Sequence, residues 1–297
     1  MGAQIRAVID LGTNTFNLLV GRVADGKLDI IHSEKEGVAL GMGGINSGQL
    51  ADDAMNRALL TLNRYVAKAK ELNATTIRMI GTSAIRDAGN KQAFIQRVLD
   101  ETGVEIEVIS GKQEADLIYQ GVNWSFDFSE PALIMDIGGG STEFIHADKT
   151  GVLWADSFNI GVSRVFQKYT FSDPMTTDDV QNIRAYFEAG VSDTFKSLRC
   201  DLLIGSSGTF ETLYEMAYER PFEHQIEAVA IEVEELKRIA TELIQSSQAQ
   251  RDKNDWIIPI RKKMAPIAAV KILWILEMCQ VKKCIISPAS LKEGALR

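Results

Sequence analysis

A short segment occurs twice in this chain, and that recurrence limits the folds open to it more than any other feature. Val8-Ile9-Asp10-Leu11-Gly12-Thr13-Asn14-Thr15-Phe16 resembles Ile134-Met135-Asp136-Ile137-Gly138-Gly139-Gly140-Ser141-Thr142-Glu143-Phe144, with an offset of 126 from Asp10 to Asp136. A second pair, Arg78-Met79-Ile80-Gly81-Thr82-Ser83 and Leu203-Ile204-Gly205-Ser206-Ser207-Gly208, follows in the same order, with an offset of 124 from Gly81 to Gly205. One matched pair is cheap by chance; two in one order at nearly one offset point to a duplicated domain. The boundary then falls near Asn123 to Glu130, giving domains at 1–123 and 124–297. A chain of 297 residues is long enough for both halves to bury a core, since domains run to about 100–200 residues.

Strand and helix patterns alternate around the repeats, as in an α/β protein. Arg6 to Val20 alternates around β-branched residues, with a turn at Gly12-Thr13-Asn14, and reads as a hairpin. Asp52 to Leu72 sets Ala58, Leu62, Tyr65, Val66, Ala69 and Leu72 on one helical face. Thr75 to Ile80 and Val104 to Ile109 read as strands, and Ser110-Gly111-Lys112-Gln113 opens a helix with a capping-box pattern. In the second half Ala132 to Ile137, Leu202 to Ile204 and Lys282 to Ser287 read as strands. Thr177 to Arg199 and Pro266 to Cys279 read as helices, and the polar stretch Gln245 to Asp255 as a mobile loop. Ile267 to Met278, interrupted by Lys271 and Glu277, is too short to span a bilayer and reads as a buried helix.

The net charge of −8 speaks against bulk binding to nucleic acid or to an anionic membrane. An anionic ligand would therefore need a focused pocket, assisted by a metal ion. Three cysteines, Cys200, Cys279 and Cys284, form no CxxC pair, and Met1 to Arg6 carries no signal-peptide pattern. Both features fit a cytoplasmic location.

Each repeat opens with strand, Asp, glycine-rich turn, strand. Consecutive backbone N–H groups in such a turn form a concave anion site. Gly12, Gly138, Gly139 and Gly140 admit a ligand where a Cβ would intrude, and Thr13, Asn14, Ser141 and Thr142 add side-chain donors. Two such loops, each preceded by an aspartate, make phosphate the ligand that fits best. Asp10 and Asp136 occupy equivalent strand ends that pseudo-symmetric packing would bring toward each other across a cleft, and two like charges close together call for Mg²⁺ or another divalent cation; each Asp equally suits capping its own turn. Gly205 to Thr209 is a third glycine turn. Glu114 and Glu143 are candidate general bases for activating water; Glu114, in a helical first turn, equally suits capping and the helix dipole. Arg86 follows a turn and can grip phosphate in bidentate fashion. Arg261, Lys262 and Lys263 form a basic run that reads as solvated surface or the lining of an anion channel. His32, His146 and His224 share no metal-ligand spacing.

Taken together, these motifs resemble the exopolyphosphatase / guanosine pentaphosphate phosphohydrolase family. The resemblance covers nearly the whole chain. Asp10 to Thr15 resembles its first phosphate loop, Gly81 to Arg86 its arginine segment, and Val108 to Ala115 the segment with its catalytic glutamate. Asp136 to Glu143 resembles the second phosphate loop, and Gly205 to Thr209 and Ser290 to Gly294 also match. The resemblance implies duplicated ribonuclease H-like domains of the actin and sugar-kinase type with an interdomain cleft. It implies that Glu114 is the base, that Arg86 binds phosphate, and that Asp136 with Glu143 positions metal or the attacking water. Gly208 and Thr209 then contact phosphate or a nucleoside. The implied activity is Mg²⁺-dependent release of terminal phosphate from polyphosphate or guanosine pentaphosphate, in a possible homodimer. A nucleotide-binding regulator and a kinase of the same architecture are the alternatives. Gln113, Asp116 and Ala39 depart from the family pattern toward a less basic surface. The absence of the extra helical domain of longer relatives points to short polyphosphates.

Overall fold

The computed structural model describes residues 4–24, 27–222 and 227–297. The chain divides into two compact units, one of Met1–Trp124 with Ser290–Arg297, the other of Ser125–Ala289. In unit 1 the elements run β1 (Ile5–Leu11), β2 (Thr15–Ala24), β3 (Lys27–Gly37), α1 (Asp52–Glu71), β4 (Thr76–Gly81), α2 (Ser83–Arg86), α3 (Lys91–Thr102), β5 (Ile106–Val108) and α4 (Gly111–Val122). Unit 2 continues with β6 (Ala132–Ile137), β7 (Thr142–Asp148), β8 (Gly151–Phe158), α5 (Val162–Lys168), α6 (Thr177–Ala189), α7 (Asp193–Lys196), β9 (Leu202–Ser206) and α8 (Gly208–Tyr218). It is completed by β10 (Val229–Ile231), α9 (Val233–Gln245), α10 (Gln248–Asp252), a 3₁₀ turn at Pro259–Arg261, α11 (Ala265–Met278) and β11 (Lys283–Ile286). The last helix, α12 (Leu291–Leu296), returns to unit 1.

The duplication is a property of the sheets. Unit 1 has the order β3-β2-β1-β4-β5 and unit 2 the order β10-β11-β9-β6-β7-β8. Reversed, the second order repeats the first with one extra edge strand. The directions also match: β1 is antiparallel to β2 and parallel to β4, as β6 is to β7 and β9. The repeats predicted this duplication, and the arrangement is the ribonuclease H-like one that the family resemblance implies.

The pairing corrects one detail of the repeat. Asp10 lies opposite Ile80 and Asp136 opposite Ser206, so the partner is seventy residues on in both units. Both strand pairs therefore correspond at 126 residues, and the match of Gly81 with Gly205 is two residues out of register. A two-residue slip leaves every side chain on the same face of its strand, so the apolar pattern does not detect it.

Burial follows the helical faces. Ala58, Leu62, Tyr65, Val66 and Ala69 of α1 are buried in the unit 1 core with Ile9, Leu11, Phe16 and Leu18. In unit 2, α11 is buried around most of its circumference, with Trp274 packed near Phe187 and Phe195. The expected helix from Thr177 to Arg199 is broken after Ala189. At Gly190 a Cβ would overlap the Ile160 side chain, and Ser192 restarts a short turn by accepting from Phe195 N at 3.3 Å. The stretch Gln245 to Asp255, expected as a loop, contains α10, capped reciprocally by Ser247 and Gln250. Its Arg251 is buried, donates to Lys262 O at 2.8 Å and pairs with Asp173 at 3.4 Å. Polar composition concealed a segment held by one well-bonded guanidinium.

Residues 290–297, which the repeat spacing groups with the second half, pack on unit 1. A Cβ on Gly121 would overlap the Ser290 carbonyl, and one on Gly294 the Leu117 carbonyl, so α4 and α12 meet backbone to backbone. Arg78 Nη1 donates to Ala295 O at 3.1 Å and Arg6 Nη1 to Arg297 O at 2.8 Å. Among the described residues no helix is long and apolar enough to cross a membrane.

Cys200, Cys279 and Cys284 are buried free thiols. Burial pushes Cys279 and Cys284 up to about 12 and raises Cys200 as well. Only the thiolate attacks disulfide reagents. Ellman's reagent at mildly alkaline pH is therefore expected to find no reactive thiol in the native protein and three after denaturation. Rapid reaction of the native protein would contradict the packing described.

Candidate phosphate-binding site

The two loops are built alike. Gly12 N donates to Thr15 O at 3.1 Å. A Cβ on Gly12 would lie 2.8 Å from that carbonyl, and one on Gly138 would lie 2.9 Å from Ser141 O. Both positions need glycine for the same reason, at equivalent places in the repeat.

Each loop is also tied from behind by the segment that follows the third strand of its sheet. In unit 1, Gly41 N donates to Thr13 O at 2.9 Å, and Val38 N and Ala39 N donate to Asn14 O at 3.0 and 2.8 Å. In unit 2, Val162 N, Ser163 N and Gly161 N donate to the carbonyls of Gly138, Gly139 and Gly140 at 3.1, 2.8 and 3.2 Å. Arg164 Nε adds a bond to Gly140 O at 2.6 Å. A planar trans peptide points its N–H opposite to its carbonyl. Tying three successive carbonyls on one side thus turns the N–H groups of Gly139, Gly140 and Ser141 toward the other, as in an anion nest. Ala39 performs its part with a left-handed backbone, φ 54°. Its contribution to the loop is made by the main chain.

The positions flanking the loops differ in charge. Asp10 is paired across the sheet with Asn17, whose Nδ2 donates to Asp10 Oδ2 at 3.0 Å. Burial outweighs that bond and pushes Asp10 up to about 6. In unit 2 the corresponding pair is Asp136 and Glu143, two carboxylates directly opposite. Ser157 Oγ donates to Glu143 Oε1 at 2.7 Å. An amide facing a carboxylate is satisfied, whereas two carboxylates facing each other repel. Hard oxygen donors in this arrangement fit Mg²⁺, which takes one or two carboxylates and completes its shell with water and phosphate oxygens. No group of three or more His, Cys, Asp or Glu that could hold a metal occurs among the described residues.

Arg86 and Glu114, picked from separate motifs, come together. Arg86 Nη1 donates to Glu114 Oε2 at 2.6 Å and to Ile109 O at 3.3 Å. Glu114 is buried in the first turn of α4. The helix is capped not by Glu114 but by Ser110, which accepts from Gln113 N, while Gln113 Oε1 accepts from Ser110 N at 2.9 Å. Gln113 therefore performs locally what an acidic residue would, and leaves Glu114 facing the arginine.

At the third glycine turn Ser207 has φ 88°, a left-handed conformation rare for serine and costly by about 1–3 kcal/mol. Among the described residues, the buried hydroxyls of Ser206 and Ser207, and of Ser83 after β4, have no hydrogen-bond partner. Orphaned buried hydroxyls are costly unless a ligand or water satisfies them. They extend the candidates Gly208 and Thr209, and their sequence signal was the turn itself. Within the basic run, Arg261 lies against Gly208, where a Cβ would overlap its guanidinium, and donates to Thr212 Oγ1 at 2.9 Å. Lys262 donates to Asp252 O at 2.7 Å. His224 lies outside the described residues.

Lys271 was legible only as an interruption of an apolar run. It is fully buried, and its Nζ donates to Ile160 O and to Thr142 Oγ1, the latter at 2.6 Å. The Phe187 ring centroid is 4.6 Å away. Burial pushes Lys271 down to about 7, partly offset by attraction to Glu143.

Two α/β units of ribonuclease H-like order, each with a glycine loop tied through its carbonyls by the segment behind it, define a duplicated α/β protein. The chain belongs to the Ppx/GppA phosphatase family, whose family model matches residues 19–297. It is similar to the crystal structure of an exopolyphosphatase from Cytophaga hutchinsonii, with a TM-score of 0.94, 34% identity and coverage of 99% of this chain and 96% of that one. A crystal structure of the Aquifex aeolicus family member matches with a TM-score of 0.82 and 25% identity, over 99% of this chain and 96% of that one. The guanosine-5'-triphosphate,3'-diphosphate pyrophosphatase of Photobacterium profundum is 26% identical over 98% of this chain. The match spans 58% of that relative's length.

Proposed function

We propose that this chain is a phosphohydrolase that releases orthophosphate from the end of inorganic polyphosphate. The observation that carries this reading is the buried Glu114 carboxylate held 2.6 Å from Arg86, in a chain with two matched anion loops. Loop N–H groups receive the phosphate oxygens, Arg86 neutralises charge on a phosphate, and Glu114 takes the proton of the attacking water. Phosphoryl transfer passes through a loose transition state, so positioning and charge neutralisation carry most of the catalysis. Asp136 and Glu143 would hold Mg²⁺, which when bound supplies further neutralisation of phosphate oxygens. Guanosine pentaphosphate is the second reading, supported by the name of the Photobacterium relative.

The test is phosphate release by the purified protein with Mg²⁺, from tripolyphosphate, long polyphosphate, guanosine pentaphosphate and ATP in parallel. Release is expected from polyphosphate. Preference for guanosine pentaphosphate would favour the second reading. Saturable nucleotide binding with no release from any compound would replace hydrolysis by a regulatory role.

A further inference from the structure

We infer that Lys271 is a positioning residue whose positive charge holds the second loop in its anion-accepting form, which rests on the reading of residues 138–142 as a phosphate loop. Its ammonium joins the loop's exit, Thr142, to the carbonyl of Ile160. The residues after Ile160 are those that tie the loop carbonyls, since Gly161, Val162 and Ser163 donate to Gly140, Gly138 and Gly139. One side chain therefore fastens both the loop and its clamp.

Charge explains why that side chain is lysine. Unit 1 sets an amide opposite its loop aspartate, because Asn17 stands where unit 2 has Glu143, and Lys292 and Lys35 act on Asp10 against the charge of Glu293. Unit 2 places two carboxylates beside a loop that must attract an anion, and like charge there opposes binding. Lys271 is bonded to Thr142 at the exit of that loop, within electrostatic reach of Glu143. Among the described residues it is the only buried lysine. Its neighbours in α11, Val270, Ile272, Trp274 and Ile275, are apolar and buried. An apolar residue of similar volume would spare the helix the desolvation of an ammonium.

The test compares wild type, Lys271→Met and Lys271→Gln by calorimetric titration with tripolyphosphate at about pH 6, where Lys271 carries its charge, alongside thermal melting. Methionine keeps the length and removes the charge; glutamine keeps a neutral donor. Both variants are expected to bind tripolyphosphate at least roughly tenfold more weakly, the scale of one charge acting inside a protein, with melting temperatures close to wild type. Wild-type affinity in Lys271→Gln would overturn the inference, because a neutral hydrogen bond would then suffice. Wild-type affinity in both variants would overturn it as well. If Lys271→Met fails to fold, Lys271→Gln decides alone. Wild type that binds tripolyphosphate but hydrolyses nothing, with binding still lost in the variants, would sustain this inference and remove the hydrolase reading. Wild type that binds no tripolyphosphate would remove the loop reading and this inference together.

Discussion

Replacing Glu114 with Gln is expected to lower the turnover of phosphate release by roughly 10²–10⁴-fold, the usual contribution of one general base, while substrate affinity stays close to wild type. The substitution is nearly isosteric. The amide oxygen of Gln can still accept from Arg86 Nη1, which now bonds Glu114 at 2.6 Å. What disappears is the carboxylate's capacity to take a proton. The Glu114 side chain is 8% exposed and that of Arg86 19%, so the pair is also structural. Removing one charge from a buried pair leaves the other poorly compensated. The two roles separate in the kinetics. Loss of the base lowers kcat with KM nearly unchanged, whereas loss of a clamp on Arg86 raises KM and lowers the melting temperature. A variant with wild-type kcat would sink the assignment of Glu114 as base.

The other large effect is expected at a residue that no motif marks. Gly161→Ala should destabilise unit 2 by about 1–3 kcal/mol or more, the range for overpacking, and abolish phosphate binding by the second loop. Gly161 has φ −59° and ψ 154°, which alanine adopts readily. The effect is therefore steric, not conformational. A methyl at this position would overlap the carbonyl of Gly139 and the carbonyl carbon of Gly140, both main-chain atoms of the loop. Backbone cannot rotate away as a side-chain tip can. Either the loop moves, losing the bonds from Gly161, Val162 and Ser163, or the start of α5 moves. Each kcal/mol should lower the melting temperature by about 2–4 °C for a unit of this size. Thermal melting and tripolyphosphate titration test both parts. Wild-type stability together with wild-type affinity would contradict the close approach of Gly161 to the loop.

The candidate site was readable where its chemistry lies within a few consecutive residues. Asp10-Leu11-Gly12 and Asp136-Ile137-Gly138 announced two loops because glycine, small polar residues and a preceding strand form one local pattern. The capping box at Ser110 and Gln113 was equally local. Arg86 and Glu114 were each visible, but their 2.6 Å bond joins α2 to α4 and had no spacing to reveal it. Asn17 and Glu143 occupy one position of the repeat, yet their contrast acquires meaning only from the residues opposite them.

By itself, the sequence determined the duplication, the α/β character and the two loops, because each rests on short-range periodicity and backbone requirements repeated at a fixed spacing. Tertiary structure alone decided the strand register, the clamps at residues 38–41 and 161–163, the return of α12 to unit 1 and the burial of Lys271 beside Thr142. These depend on groups far apart in the chain whose free energies of burial and hydrogen bonding exist only once the sheets have formed. A lysine in an apolar run has the same letter whether it reaches solvent or fastens a phosphate loop. Only the packing around it distinguishes the two.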